Sequence, residues 1–209
     1  MMKTDKRERI LRVILNCPKG SLSAYRIAKE AECSRSWVID FLHKLEKMKL
    51  IKKISNTSDS NRKMEGICVI DVIGIFNYWI KISHPSYIRE YHVKNPIQCL
   101  EKTNLKYALT TYQAETLTQN YLFPSRIDLY IREEDIEKWH KLFIKNGLIG
   151  KGNVKIIIED EHVFYKSKQK KGFNVVSIPQ LIIDLLKEGG VAEEAAIMLM
   201  RKKYNEIIS

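Results

Sequence analysis

The order of segments in the first 70 residues narrows the possible folds of this chain most. Residues 4–16 place Ile10, Leu11, Ile14 and Leu15 on one helical stripe, with Val13 beside it and charged residues opposite. Thr4 or Asp5 suits the helix start, and Pro18 with Gly20 ends it. A short extended piece, Ser21-Leu22-Ser23, leads to a second helix over 24–31 with Ile27 and Ala28 inward. After the turn Glu32-Cys33-Ser34, Ser34 is a suitable N-cap for a third helix reaching residue 49. Its inward positions are Val38, Phe41, Leu42, Leu45 and Met48. Strand-like runs at 50–54 and 67–70 follow, and the link between them has the Asn, Ser, Asp and Gly content of a long hairpin tip.

Helix, extended piece, helix, turn, helix and hairpin is the order of a winged helix-turn-helix. A helix that enters the major groove needs small or polar residues at its first exposed positions and a cation beside them. Ser34, Arg35, Ser36 and Trp37 supply these. Arg35 suits a bidentate pair with guanine, and the two serines can reach phosphate or base edges. Trp37 either packs under the helix or meets the sugar-phosphate edge. Asp40, His43, Lys44 and Lys47 lie further along the outward side, and Asp40 either accepts from a cytosine or orients Arg35. Ser23 and Tyr25 at the start of the second helix are natural phosphate contacts, because helix N-termini present free N–H groups. Asn61, Arg62 and Lys63 occupy the hairpin tip, where a wing touches phosphate or the minor groove.

Charge supports a polyanionic partner. Residues 1–95 hold 19 Lys and Arg against 10 Asp and Glu, a net +9, whereas residues 96–209 hold 17 against 15, a net +2. A basic domain joined to a nearly neutral one points to double-stranded DNA as the partner of the first. The boundary is expected at Asn95-Pro96, giving a DNA-binding domain over 1–95 and an α/β domain over 96–209, an α+β chain in sum. Residues 71–82 read as a helix with Val72, Ile75, Phe76, Trp79 and Ile80 on its apolar stripe, and residues 87–96 carry no clear pattern. Beyond the boundary, helices are expected over 97–102, 111–119, 133–146, 179–187 and 192–205. Strands are expected at 106–109, 125–131, 154–158 and 162–165, with a basic turn at 166–172.

One stretch of the second half is Lys106-Tyr107-Ala108-Leu109-Thr110-Thr111-Tyr112-Gln113-Ala114-Glu115 with Ser125-Arg126-Ile127-Asp128-Leu129-Tyr130-Ile131. Another is Val175-Val176-Ser177-Ile178-Pro179-Gln180-Leu181-Ile182-Ile183-Asp184-Leu185-Leu186, followed by Glu193-Glu194-Ala195-Ala196. Both resemble the antitoxins of the AbiEi type. With the N-terminal domain these cover most of the chain. The resemblance implies a repressor of its own promoter, the antitoxin of a type IV pair whose toxin is a nucleotidyltransferase-like protein. A free-standing regulator that senses a ligand and has no toxin shares the same build. A homodimer is expected where two half-sites are read.

An enzyme is the competing class. A minimal nucleotidyltransferase needs a glycine turn near the triphosphate and two carboxylates at alternate strand positions for Mg²⁺. Here the turn is Thr110-Thr111, and the strand reads Asp128-Leu129-Tyr130, with Tyr where the second carboxylate belongs. The expectation is therefore a nucleotidyltransferase-like fold without its chemistry: no catalytic residues, no metal and no cofactor. Gly147-Leu148-Ile149-Gly150-Lys151-Gly152 lacks the ending that cradles phosphate and reads as a helix-to-strand turn. Glu159-Asp160-Glu161 reads as a solvated turn. Cys17, Cys33, Cys68 and Cys99 form no CxxC pair and are expected as reduced thiols. No apolar run approaches the roughly 20 residues of a bilayer span, and a cytoplasmic protein is expected.

Overall fold

The computed structural model describes residues 5–57, 63–83 and 87–208. The chain is α+β and divides into two compact units, one formed by Asp5–Ser83 with Met200–Ser209, the other by His84–Leu199.

In the first unit, α1 (Lys6–Asn16) starts at Asp5, whose carboxylate accepts the Arg7 amide at 2.9 Å. Helix α2 spans Ala24–Glu30 and α3 spans Arg35–Lys47. Strands β1 (Ile51–Thr57) and β2 (Lys63–Val69) pair antiparallel, from Ile51 opposite Val69 to Thr57 opposite Lys63. The hairpin strands therefore run further than the apolar runs at 50–54 and 67–70 indicate, because polar Ser55 and Glu65 continue the ladder. The extended piece after α1 lies along β2: the Ile67 amide donates to Leu22 O at 2.9 Å and the Val69 amide to Pro18 O at 2.8 Å. Gly20 permits this approach, with φ of +80° and no room for a Cβ, which would fall 2.2 Å from Ile54 Cδ1.

Helix α4 (Val72–Ile82) starts at Asp71, which accepts from the Gly74 amide at 2.7 Å. Its buried side carries Val72, Ile75, Phe76 and Trp79, but Ile80, expected inward, is exposed. Met48 is also exposed, because α3 has already ended at Lys47. The core is closed by an element from the far end of the sequence. Helix α9 (Val191–Lys203) runs out of the second unit, and Tyr204 beyond it is buried in the first. The Tyr204 hydroxyl donates to Leu15 O at 2.9 Å, and its ring meets Phe76 edge-on at 6.2 Å.

The second unit begins earlier than residue 96. Residues Tyr87–Val93 form β3, a strand of a seven-stranded mixed sheet, so a cut at 95 separates it from its partners. Helix α5 (Pro96–Lys102), β4 (Tyr107–Thr110), α6 (Thr111–Thr118) and β5 (Ile127–Ile131) follow. A 3-10 turn at Glu133–Asp135 enters α7 (Ile136–Ile144). Then come β6 (Gly147–Ile149), β7 (Val154–Ile158), β8 (Lys168–Lys170), β9 (Phe173–Val175) and α8 (Ile178–Glu188). The sheet order is β6-β3-β7-β5-β4-β9-β8, with the β5–β7 and β4–β9 neighbours parallel and the others antiparallel.

Three local expectations change. Residues 147–149 are an edge strand rather than a plain turn, because Gly147 packs on the backbone of β3, where a Cβ would sit 2.0 Å from His92 O. Residues Glu161–Phe164 form a 3-10 helix instead of a strand, capped by Asp160, which accepts from the His162 amide at 2.9 Å. The basic stretch 166–172 contains β8 and turns at Lys171-Gly172, both with positive φ, into β9.

One sheet face carries Tyr91, Tyr107, Leu109, Leu129 and Ile156. There Trp139 of α7 meets Tyr107 edge-on at 5.9 Å and Phe143 lies 5.2 Å from Tyr91. The other face carries Thr110, Asp128 and Tyr130, which α8 covers.

Candidate nucleic-acid interface

Helix α3 has Val38, Phe41, Leu42 and Leu45 buried on one side. At about 100° per residue, Ser36, Asp40, His43 and Lys47 form the centre of the opposite side. All four are exposed. Arg35 stands at one margin of this face, Trp37 and Lys44 at the other. The side chains of Arg35, Ser36, Asp40 and Lys47 make no hydrogen bond or ion pair with any described residue. Asp40 therefore does not hold Arg35, which removes one of its two expected roles. Trp37 is half-buried and stacks on Phe41 of the same helix with centroids 5.6 Å apart. Lys44 turns away from Arg35, with its ammonium over the Tyr78 ring at 5.7 Å.

Ser23 is the N-cap of α2 and accepts from the Arg26 amide at 3.3 Å. Tyr25 beside it is 64% exposed, a large ring presented to solvent. Ser34 is the N-cap residue of α3, but its hydroxyl makes no capping bond and stays exposed. Asn61 and Arg62 lie outside the described residues, and Lys63 is placed as the first residue of β2.

The hairpin also contributes beside α3, through residues away from its tip. Arg35 and His43 line a cavity of about 210 Å³ with Lys53 and Glu65 of the hairpin, floored by Leu42 and Ile67. The Lys53 ammonium lies 3.2 Å from His43 Nε2 and 3.8 Å from a Glu46 oxygen. Strand alternation was the available signal: Lys53 shares a face with Ile51, which is buried toward the core. Regrouping the chain by its two units leaves the charge asymmetry intact. Asp5–Ser83 with Met200–Ser209 still hold 19 basic and 10 acidic residues, a net +9.

Polar groups of the second unit are arranged in the opposite way. Asp128 on β5 is fully buried, and both its oxygens are taken: Arg126 Nε donates to Oδ1 at 2.5 Å, Arg126 Nη2 to Oδ2 at 2.8 Å and Thr111 Oγ1 to Oδ2 at 2.5 Å. Arg126 also reaches Glu188 at 3.0 Å, and its hydrogen bond to Asp128 raises its already high pKa. Asp184 on α8 accepts from Thr110, Tyr130 and Gln180 at 2.5, 2.9 and 2.9 Å. Burial nevertheless dominates and pushes its carboxyl pKa up to about 6. Thr111 sits at φ of +45°, a left-handed conformation unusual for a β-branched residue; such strain costs on the order of 1–3 kcal/mol. Its hydroxyl bond to Asp128 helps hold it there. Glu115 is buried and accepts the Leu122 and Tyr121 amides at 2.7 and 3.2 Å.

The turn, the β5 strand and α8 are the segments quoted above for the antitoxin resemblance, and this network joins all three. Among the described residues no three His, Cys, Asp or Glu side chains are grouped to hold a metal ion, and no helix is long and apolar enough to cross a membrane. Of the acidic turn at 159–161, Glu161 pairs with Lys106 at 2.8 Å and Arg132 at 3.0 Å, so it ties two elements together. Comparison with protein-family models, with curated proteins and with solved structures found no match.

Proposed function

We propose that the unit formed by Asp5–Ser83 and Met200–Ser209 is a winged helix-turn-helix that binds double-stranded DNA, with α3 in the major groove. The observation that carries this reading is the exposed face of α3, where Arg35, Ser36, Asp40 and Lys47 have no partner among the described residues, on a unit of net charge +9. A helix side chain that contacts a base edge must be free to leave water for it, and these are. The Ser23 cap and Tyr25 at the start of α2 flank the same reading as phosphate contacts. The protein then acts as a transcriptional repressor, reading two half-sites as a dimer.

The more specific role, the antitoxin of a type IV pair with a nucleotidyltransferase-like toxin, rests on the motif resemblance alone. We read the second unit as non-catalytic. Support comes from Asp128, whose two oxygens are both engaged by Arg126 and Thr111, and from Glu115, which is committed to the loop after α6.

A mobility-shift titration on the chain's own upstream DNA tests the reading. Six phosphate contacts imply a roughly 10³-fold loss of affinity between about 50 and 200 mM salt. Affinity that stays flat across this range excludes the basic surface as a DNA footprint.

A further inference from the structure

The second unit contains a cleft that the DNA-binding reading does not use. It measures about 670 Å³ and opens between α5 and the end of α7. Lys94, Lys102 and Lys145 line it, and no carboxylate does. None of these three ammonium groups makes an ion pair or hydrogen bond with a described residue. The carboxyl ends of α5 and α7 also point here, and lysines commonly neutralise such ends. Two helix ends carry about half a negative charge each, however. Three ammonium groups therefore exceed them by about two positive charges. The remaining lining suits an organic body. Leu142 and the buried Cys99 form an apolar floor, while the side-chain amides of Gln98 and Asn104 have no described partner. The volume falls within the range of about 300–1,000 Å³ typical of small-molecule sites.

We propose that this cleft binds a phosphorylated small molecule of nucleotide size, its phosphates on Lys94, Lys102 and Lys145 and its planar part over Leu142 within reach of Gln98 and Asn104. The excess positive charge selects an anion, the apolar floor selects one with a flat uncharged portion, and the free amides match the donors and acceptors of a base edge.

Calorimetric titration of the full chain with ATP, GTP and inorganic tripolyphosphate tests the proposal. The expected result is saturable 1:1 binding of at least one nucleotide, with shifts in the NMR signals of the Gln98 and Asn104 side-chain amides. Lys102→Glu with Lys145→Glu should weaken it about tenfold or more, since each reversal changes the local charge by two units. Lys168→Glu with Lys171→Glu, on the hairpin at the opposite edge of the sheet, should leave it unchanged. These variants are all surface changes, and retained far-UV circular dichroism separates lost binding from lost folding. No saturable nucleotide binding, or equal losses in the two double variants, overturns the site. Tripolyphosphate bound as tightly as the nucleotides overturns the planar half of the ligand.

Discussion

The exposed side of α3 and the layer beneath α8 are both rich in polar residues, and they treat them oppositely. On α3, Arg35, Ser36, Asp40 and Lys47 are in water and bonded to nothing described. Beneath α8, Thr110, Thr111, Asp128, Tyr130, Gln180 and Asp184 are out of water and bonded to one another or to Arg126. The first pattern stabilises nothing in the isolated chain and is available to a partner. The second is committed to the fold, because a buried polar group without its partner costs about 1–3 kcal/mol and a charged one more. The identity of a polar residue therefore says little about its role until its bonding is known.

The largest expected effect breaks the committed side. Asp128→Ala leaves Thr111 without that acceptor and Arg126 with Glu188 and the Tyr112 ring. Breaking a buried pair costs about 3–5 kcal/mol; Arg126 is 23% exposed, so the lower end applies. Urea unfolding of the second unit should show the loss, while the folded fraction binds DNA as before. A change in DNA affinity without a change in stability would dissolve the contrast between the two regions.

Next in size is a pH effect from Asp184. Its folded pKa, about 6, lies above the ordinary 3.8, so its contribution to stability is complete below about pH 4 and is lost as pH rises through 6. A shift of two units corresponds to about 3 kcal/mol. Denaturation at pH 4.5 and 7.5 should show this decline on top of the other titrations, and Asp184→Asn should flatten it. An identical pH slope in the variant would mean that the carboxylate is better compensated by Thr110, Tyr130 and Gln180 than its burial implies.

The smallest effect on folding belongs to the free side. Arg35→Ala should change stability by less than about 0.5 kcal/mol. It should cost about 1–3 kcal/mol on the cognate site and less on random DNA. Equal losses on both DNAs would make Arg35 a phosphate contact and move sequence readout to Ser36, Asp40, His43 and Lys47.

The first unit was legible because each helix there carries a one-sided apolar stripe and a polar cap, and both signals are local. Asp5, Ser23 and Asp71 are found at helix starts, and the stripes of α1 and α3 are buried almost as read. The second unit hid its sheet. Strand β3 reads Tyr-Ile-Arg-Glu-Tyr-His-Val, a mixture that arises because Tyr91 and Val93 face the core while Ile88 and His92 do not. Strands β6, β8 and β9 are three residues each, too short for periodicity to register. The buried network left one trace, Asp184 inside the apolar run from Leu181 to Leu186, where a lone carboxyl signals a partner within the core. The exposed sites were partly readable, since Arg35 and Ser36 follow from helix phase. Whether Asp40 holds Arg35 needed coordinates to judge.

Tyr204 also bears on how the molecule is made. The unit that begins with α1 cannot be finished until residue 204 has left the ribosome, 121 residues after Ser83. At about 5–20 residues per second that is an interval on the order of ten seconds. During it the nascent unit lacks the ring that meets Phe76 of α4 and the hydroxyl that donates to Leu15 O of α1.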